Sequence, residues 1–173
     1  MPIVVKQLKL EYSVAPEGLH AAVCCDVVDK GVIKGQWGEA HKVEIRWQLE
    51  EIDPTTNPPR PYMVVAWYTL SLHEKSRLRP MLAAWRGRKF TPEELAGGFD
   101  LEKLIGTNCQ VQIVHNIRED GGTFASVQAV VPPAKDAVKF RVSPTYVRVQ
   151  DRDRVGKDEM PAKATIDDND VPF

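Results

Sequence analysis

The chain has 173 residues, 43% hydrophobic and 27% charged, the composition of an ordinary globular protein and not of a wholly disordered one. Its net charge of −1 hides an asymmetry: residues 1–166 carry 23 basic and 21 acidic side chains, whereas three acids and no base follow from Asp167 onward. No apolar run approaches the roughly 20 residues of a membrane helix, so no membrane partner is expected.

The N-terminal MPIVVKQLKLEYS lacks the basic start, long apolar stretch and small-residue cleavage site of a signal peptide, and a cytoplasmic protein is expected. After a turn at Pro16-Glu17-Gly18, LHAAVCCDVV (19–28) reads as a first strand, mostly apolar on both faces. Cys24, Cys25 and Cys109 form no CxxC pair. Neighbours on a strand point to opposite faces, so buried free thiols are expected and no metal site. The glycine- and lysine-rich KGVIKGQWG (30–38) reads as a mobile hairpin-type connection.

In the second strand, HKVEIRWQLE (41–50), Val43, Ile45, Trp47 and Leu49 alternate with Lys42, Glu44, Arg46 and Gln48, the period of a half-buried strand. DPTTNPPRP (53–61) is a loop, because its prolines cannot serve a ladder. A third strand follows in YMVVAWYTLSL (62–72). Its more uniformly apolar set, with Tyr68 and Leu70, is assigned to the core, which turns Trp67 and Thr69 outward.

The period then changes. Leu78, Met81, Leu82 and Trp85 fall at helical spacing, with Pro80 near the start and Gly87 as the stop. TPEEL starts a second short helix, with Thr91 as N-cap, Pro92 at the first position and Glu94 closing a capping box. Asp100 caps a third turn through Leu104, ended by Gly106. Strands CQVQIVHNI (109–117) and TFASVQAVV (123–131) follow, joined by the Asp120-Gly121-Gly122 turn. VKFRV (138–142) and TYVRV (145–149) keep enough alternation to pack on the domain, and from Asp151 the sequence reads as a charged linker.

Three strands, a helical segment and two strands are the order of a mainly β protein: a five-stranded OB-type Greek-key barrel with a helical insertion between strands 3 and 4. Residues 1–133 are assigned to that domain, 134–166 to a linker partly packed on it, and 167–173 to a disordered acidic tip. OB barrels bind oligonucleotides or oligosaccharides across strands 2 and 3, between the loops joining strands 1–2 and 4–5.

Single-stranded nucleic acid needs cations along its phosphates and aromatic faces under its bases. Lys42 and Arg46 offer the first on strand 2, and Trp67 the second on strand 3. Trp37 stands in a basic loop with Lys34, where an aromatic ring has little reason to be core; Arg118 and Phe124 flank the strand 4–5 hairpin. The segment from His73 to Phe90 holds six Lys or Arg against one Glu, beginning with Lys75 and Arg77 directly after strand 3. Such contacts are salt-sensitive and indifferent to sequence.

Catalysis has no comparable footing. The four histidines are scattered, and there is no HExxH, GxSxG or GxxxxGK[ST]. His115-Asn116 alone lacks metal-binding partners. No enzymatic activity and no cofactor are expected.

The last seven residues, DDNDVPF, resemble the acidic tip of bacterial single-stranded DNA-binding proteins, in which a few aspartates precede a hydrophobic residue, proline and phenylalanine. Asn169 interrupts the acids. The stretch from Tyr68 to Gly106 is similar to phage or prophage replication proteins with an OB-fold. The resemblance implies a barrel that coats single-stranded DNA in replication, recombination and repair, in a bacterium or phage-infected cell. It also implies a tip that recruits polymerases, helicases or nucleases through Asp167, Asp168, Asp170, Val171, Pro172 and Phe173. The alternative is a protein-interaction adaptor of a replication complex whose barrel binds no DNA. A homo-oligomer is left open by the sequence.

Overall fold

The computed structural model describes residues 14–155, with side chains to Arg152. Its centre is one antiparallel sheet of five strands in the order β3-β2-β1-β4-β5, formed by β1 (Gly18–Gly35), β2 (Gly38–Asp53), β3 (Arg60–Thr69), β4 (Asn108–Ile117) and β5 (Thr123–Val131). Among the described residues no ladder joins β3 to β5, although these two edge strands lie close together. Helices α1 (Leu78–Arg86) and α2 (Pro92–Gly97) and a 3₁₀ turn (Leu101–Leu104) come between β3 and β4 in the chain, and α1 packs against β5. No helix among the described residues is long and apolar enough to cross a membrane.

The alternation in β2 sorts its side chains as the period requires. Val43, Ile45, Trp47 and Leu49 enter a core shared with Val64 and Tyr68 of β3, Ala22 and Cys24 of β1, and Val111 and Ile113 of β4. Leu78, Leu82 and Trp85 of α1 close that core, and the Trp85 ring lies tilted against Trp47 at 6.0 Å between centroids. The indole N–H of Trp85 donates to the carbonyl of Asn108 (3.1 Å), so burial of that ring leaves no polar atom stranded. Trp47 and Trp85 are both core residues.

The helix boundaries fall where the local chemistry sets them. Gly87 ends α1 at φ 74°, and its N–H reaches the carbonyls of Ala83 and Ala84. Thr91 and Glu94 form a complete capping box on α2, and the Asp100 carboxylate accepts from Glu102 N–H at the 3₁₀ turn.

Three expectations are corrected. Residues 30–38 are not a loop: β1 and β2 stay paired to Gly35 and Gly38, leaving a two-residue turn at Gln36-Trp37. Gly31 and Gly38, both at positive φ, serve a bulge and that turn inside a continuous hairpin arm. Leu70 is 39% exposed, because β3 ends at Thr69 and alternation no longer governs the next side chain. Beyond Asp151 the chain is helical at first, α3 spanning Val149–Val155.

The segment between β5 and α3 is irregular, with turns closed by Ala137 N–H to Ala134 and by Tyr146 N–H to Ser143, and lies across the outer face of the sheet, opposite the core. Asn108 of β4 exchanges two hydrogen bonds with the Phe140 backbone (3.1 Å each). Gln48 of β2 accepts from Ser143 N–H (2.8 Å). Asp26 of β1 accepts from Tyr146 Oη (2.9 Å), Arg148 Nε (3.0 Å) and Val149 N–H (2.9 Å), besides Val27 N–H (2.8 Å). This strap is bound to three strands and belongs to the domain.

Candidate nucleic-acid interface

The outer face of β2 and β3 carries the cationic and aromatic side chains, and the strap divides it. On one side Asp26 and Gln48 are sealed under Tyr146, Arg148 and Ser143. On the other, towards the hairpin arm, the cross-strand pairs Glu44–Trp67 and Lys42–Thr69 follow one another on the same face.

The first pair is built on a buried carboxylate. Glu44 is 0% exposed; one of its oxygens accepts from Trp67 Nε1 (2.9 Å) and faces Lys30 Nζ at 3.6 Å, while the other accepts from Arg46 Nε (2.7 Å). The indole is therefore held at its N–H edge by an ion whose own charge Arg46 balances. Such charge-assisted bonds are short and directional, so the N–H edge of Trp67 is anchored. Over that ring, 5.0 Å from its centroid, stands the ammonium of Lys30. Next along the face Lys42 Nζ donates to Thr69 Oγ1 (2.8 Å).

Arg46 does not stand where the sequence suggests. It is 2% exposed and paired with Glu44, so it orients Trp67 through that carboxylate and does not reach a phosphate outside. Period-two alternation separates two faces but does not say whether the second is wet; here the far end of the chain covers part of it.

The other expected residues lie on the surface at distinct places. Trp37 occupies the tip of the β1–β2 arm and is 95% exposed. Lys34 stands beside it, its Nζ 3.8 Å from Glu39 across the hairpin. Lys75 and Arg77 are exposed between β3 and α1, which begins at Leu78. Arg118 and Phe124 do meet, the guanidinium 5.5 Å from the ring centroid, in the β4–β5 hairpin next to the exposed Ile117. Asp167, Asp168, Asp170, Val171, Pro172 and Phe173 lie outside the described residues.

Two participants escape sequence reasoning. Lys30 reads as one more lysine of a loop, and Glu44 as an ordinary acid on a solvated face. The signal for Glu44 is the run Lys42, Glu44, Arg46, which places an acid between two bases on one face of a strand; Lys30 has none.

All three cysteines are free and buried. Burial pushes the Cys25 and Cys109 thiols up to about 12, so neither offers a thiolate at neutral pH. No cluster of three or more His, Cys, Asp or Glu side chains able to hold a metal ion occurs among the described residues. No protein-family model matches the chain, and no curated protein matches it in sequence.

Proposed function

We propose that the protein binds single-stranded DNA without regard to sequence, coating it during replication or recombination in the cytoplasm of a bacterium or phage-infected cell. The observation that carries this reading is the Trp67 platform: an aromatic ring on an outer sheet face, its N–H edge held by a buried carboxylate, with Lys30 over it and Lys42 on the same face. A base needs a flat ring and its phosphates need cations, and this face carries an indole with two lysines. Trp37 at the tip of the arm adds a second ring, and the exposed Lys75 and Arg77 follow the end of β3 in the chain.

The strand order supports the reading at the level of the fold. In an OB barrel β1 pairs with both β2 and β4, and β3 and β5 approach at the partly open seam. The order β3-β2-β1-β4-β5 with β3 near β5 agrees with this, and we read the helices between β3 and β4 as the OB insertion. The binding face is then β2–β3, flanked by the β1–β2 arm and the β4–β5 hairpin.

Titration with oligo-dT at several salt concentrations tests the function. Tryptophan emission is expected to be quenched, and affinity to fall as salt rises. No change in emission together with no salt-dependent binding refutes it. Trp37→Ala is expected to cost about 1–3 kcal/mol of binding, the worth of one stacked base. Its melting temperature stays that of the parent, since the ring makes almost no contact with the domain.

The tip from Asp167 to Phe173 is read as the hook for partner enzymes, its phenylalanine entering an apolar pocket and its aspartates meeting basic side chains on the rim. Deleting residues 167–173 is expected to keep or raise DNA affinity while ending recruitment. A pure adaptor shows no DNA binding with or without the tip.

A further inference from the structure

Lys30 stands in a position that base stacking makes untenable. Its ammonium lies over the Trp67 ring, 5.0 Å from the centroid, on the face where a nucleobase stacks. Ring and cation cannot both be satisfied once a base arrives, because the base occupies the same space. Trp67 itself does not turn away, since Glu44 holds its N–H edge and Arg46 holds Glu44. What yields is the lysine, whose four-carbon stem rotates freely and whose side chain is still 22% exposed.

We propose that Lys30 is an exchangeable cover on the Trp67 platform: it caps the indole in the free protein and moves to the phosphate beside the stacked base when single-stranded DNA binds. The inference rests on the DNA-binding reading and adds to it a residue, a resting state and an order of events. A cation over an indole and a base over an indole are attractions of the same order, so the exchange is near balance at the ring. The incoming phosphate takes the place of Glu44 Oε1, 3.6 Å from the ammonium in the free protein, as its anionic partner, and Arg46 keeps that carboxylate balanced when Lys30 leaves. The backbone helps: Lys30 is the extra residue of a bulge between the pairs Asp29–Val43 and Gly31–Lys42, so it has no register partner on β2, and among the described residues its ammonium is held only by the Glu44 oxygen and the Trp67 ring. Lys42, paired with the next residue of β1, keeps its bond to Thr69 and serves as a second, stationary cation.

The experiment uses the full chain with Trp37→Phe as parent, which removes the exposed tryptophan and leaves Trp67 as the ring that acrylamide reaches, Trp47 and Trp85 being in the core. Lys30→Met is expected to raise acrylamide quenching of the free protein and to lower the slope of log affinity for oligo-dT against log salt by about 0.7, the share of one phosphate contact on a single strand. Lys30→Arg keeps the charge and the ring contact and is expected to match the parent in both readouts. A purely structural Lys30 moves neither the slope nor its rescue by arginine. Lys30→Gln replaces the methionine variant if that one melts early. An unchanged salt slope in a Lys30→Met protein that binds DNA overturns the role of Lys30 and leaves the function standing, as does unchanged quenching of the free protein. A parent that does not bind oligo-dT overturns both.

Discussion

Asp26 is a carboxylate with 1% of its surface exposed, held by donors from both ends of the described chain. An ion so placed costs far more than it returns unless its lone pairs are taken up, and here four donors take them up. Arg148 then reaches on to Glu102 at 2.9 Å, which holds its guanidinium firmly in the charged form. Asp26→Ala leaves Arg148 paired with Glu102 but takes the acceptor from Arg148 Nε, the Tyr146 hydroxyl and the Val149 N–H. It is expected to destabilise the protein by about 3–5 kcal/mol, the cost of several buried donors left unsatisfied, read as a lower urea midpoint. Arg148→Met leaves the carboxylate its three other donors but removes its counter-ion, and is expected to cost about 3–5 kcal/mol, the penalty of a buried charge left unpaired. A loss under about 1 kcal/mol in either variant contradicts the view that Asp26 is the hub.

At the scale of elements, the helices between β3 and β4 owe their ends to a few local bonds. Gly87 adopts φ 74°, and an added Cβ would meet Pro132 Cγ at 3.4 Å, an ordinary contact. The cost of Gly87→Ala is therefore conformational, about 1–2 kcal/mol, and shows in the melting temperature without loss of fold. Glu94 contributes a pH dependence. The backbone N–H of Thr91, and after it Arg86, hold its carboxyl below the usual value of 4.5. A carboxyl lowered on folding stabilises in full above its unfolded pKa and loses that contribution as pH falls through its folded one. Melting curves between about pH 3 and pH 6 are thus expected to decline less steeply for Glu94→Gln than for the parent.

These ends were legible in the sequence because Thr91, Pro92 and Glu94, or Asp100 and Glu102, interact within a few residues. The strands were legible because one buried face imposes period two on β2 and β3 alike, down to Tyr68 inward and Trp67 outward. The hairpin arm was not, since glycine and lysine between strands suit a loop as well as a bulged ladder. Arg46 and Glu44 were misread for a different reason: what covers and pairs the outer face comes from elsewhere in the fold. Ser143 and Gln48, which meet across the strap, are 95 residues apart, and no local pattern announces a contact of that span.

For the whole molecule the strap moves the working boundary of the domain. A division after Pro133 follows the end of β5, but it discards every donor that Asp26 receives from outside its own strand. It also leaves the Gln48 amide and the Asn108 side chain without their strap partners. A fragment of residues 14–133 therefore keeps its apolar core and loses the cover of a buried ion. The three strap bonds to the carboxylate, each about 1.5–3 kcal/mol as hydrogen bonds to a charged group, are a large share of the roughly 5–15 kcal/mol that holds a domain folded. A fragment of residues 14–155 retains all these contacts and is expected to melt close to the full chain, whereas 14–133 melts well below it or does not fold. Cys25 reports on the strap itself, since its thiol is buried on β1 within hydrogen-bonding reach of Tyr146 and burial holds it protonated. If 14–133 folds, Cys25 is expected to react with a disulfide reagent within minutes while Cys24 and Cys109 stay shielded in the core; in 14–155 all three stay shielded. A shorter fragment as stable as the longer, with Cys25 still protected, means that the strap rests on the sheet without holding it.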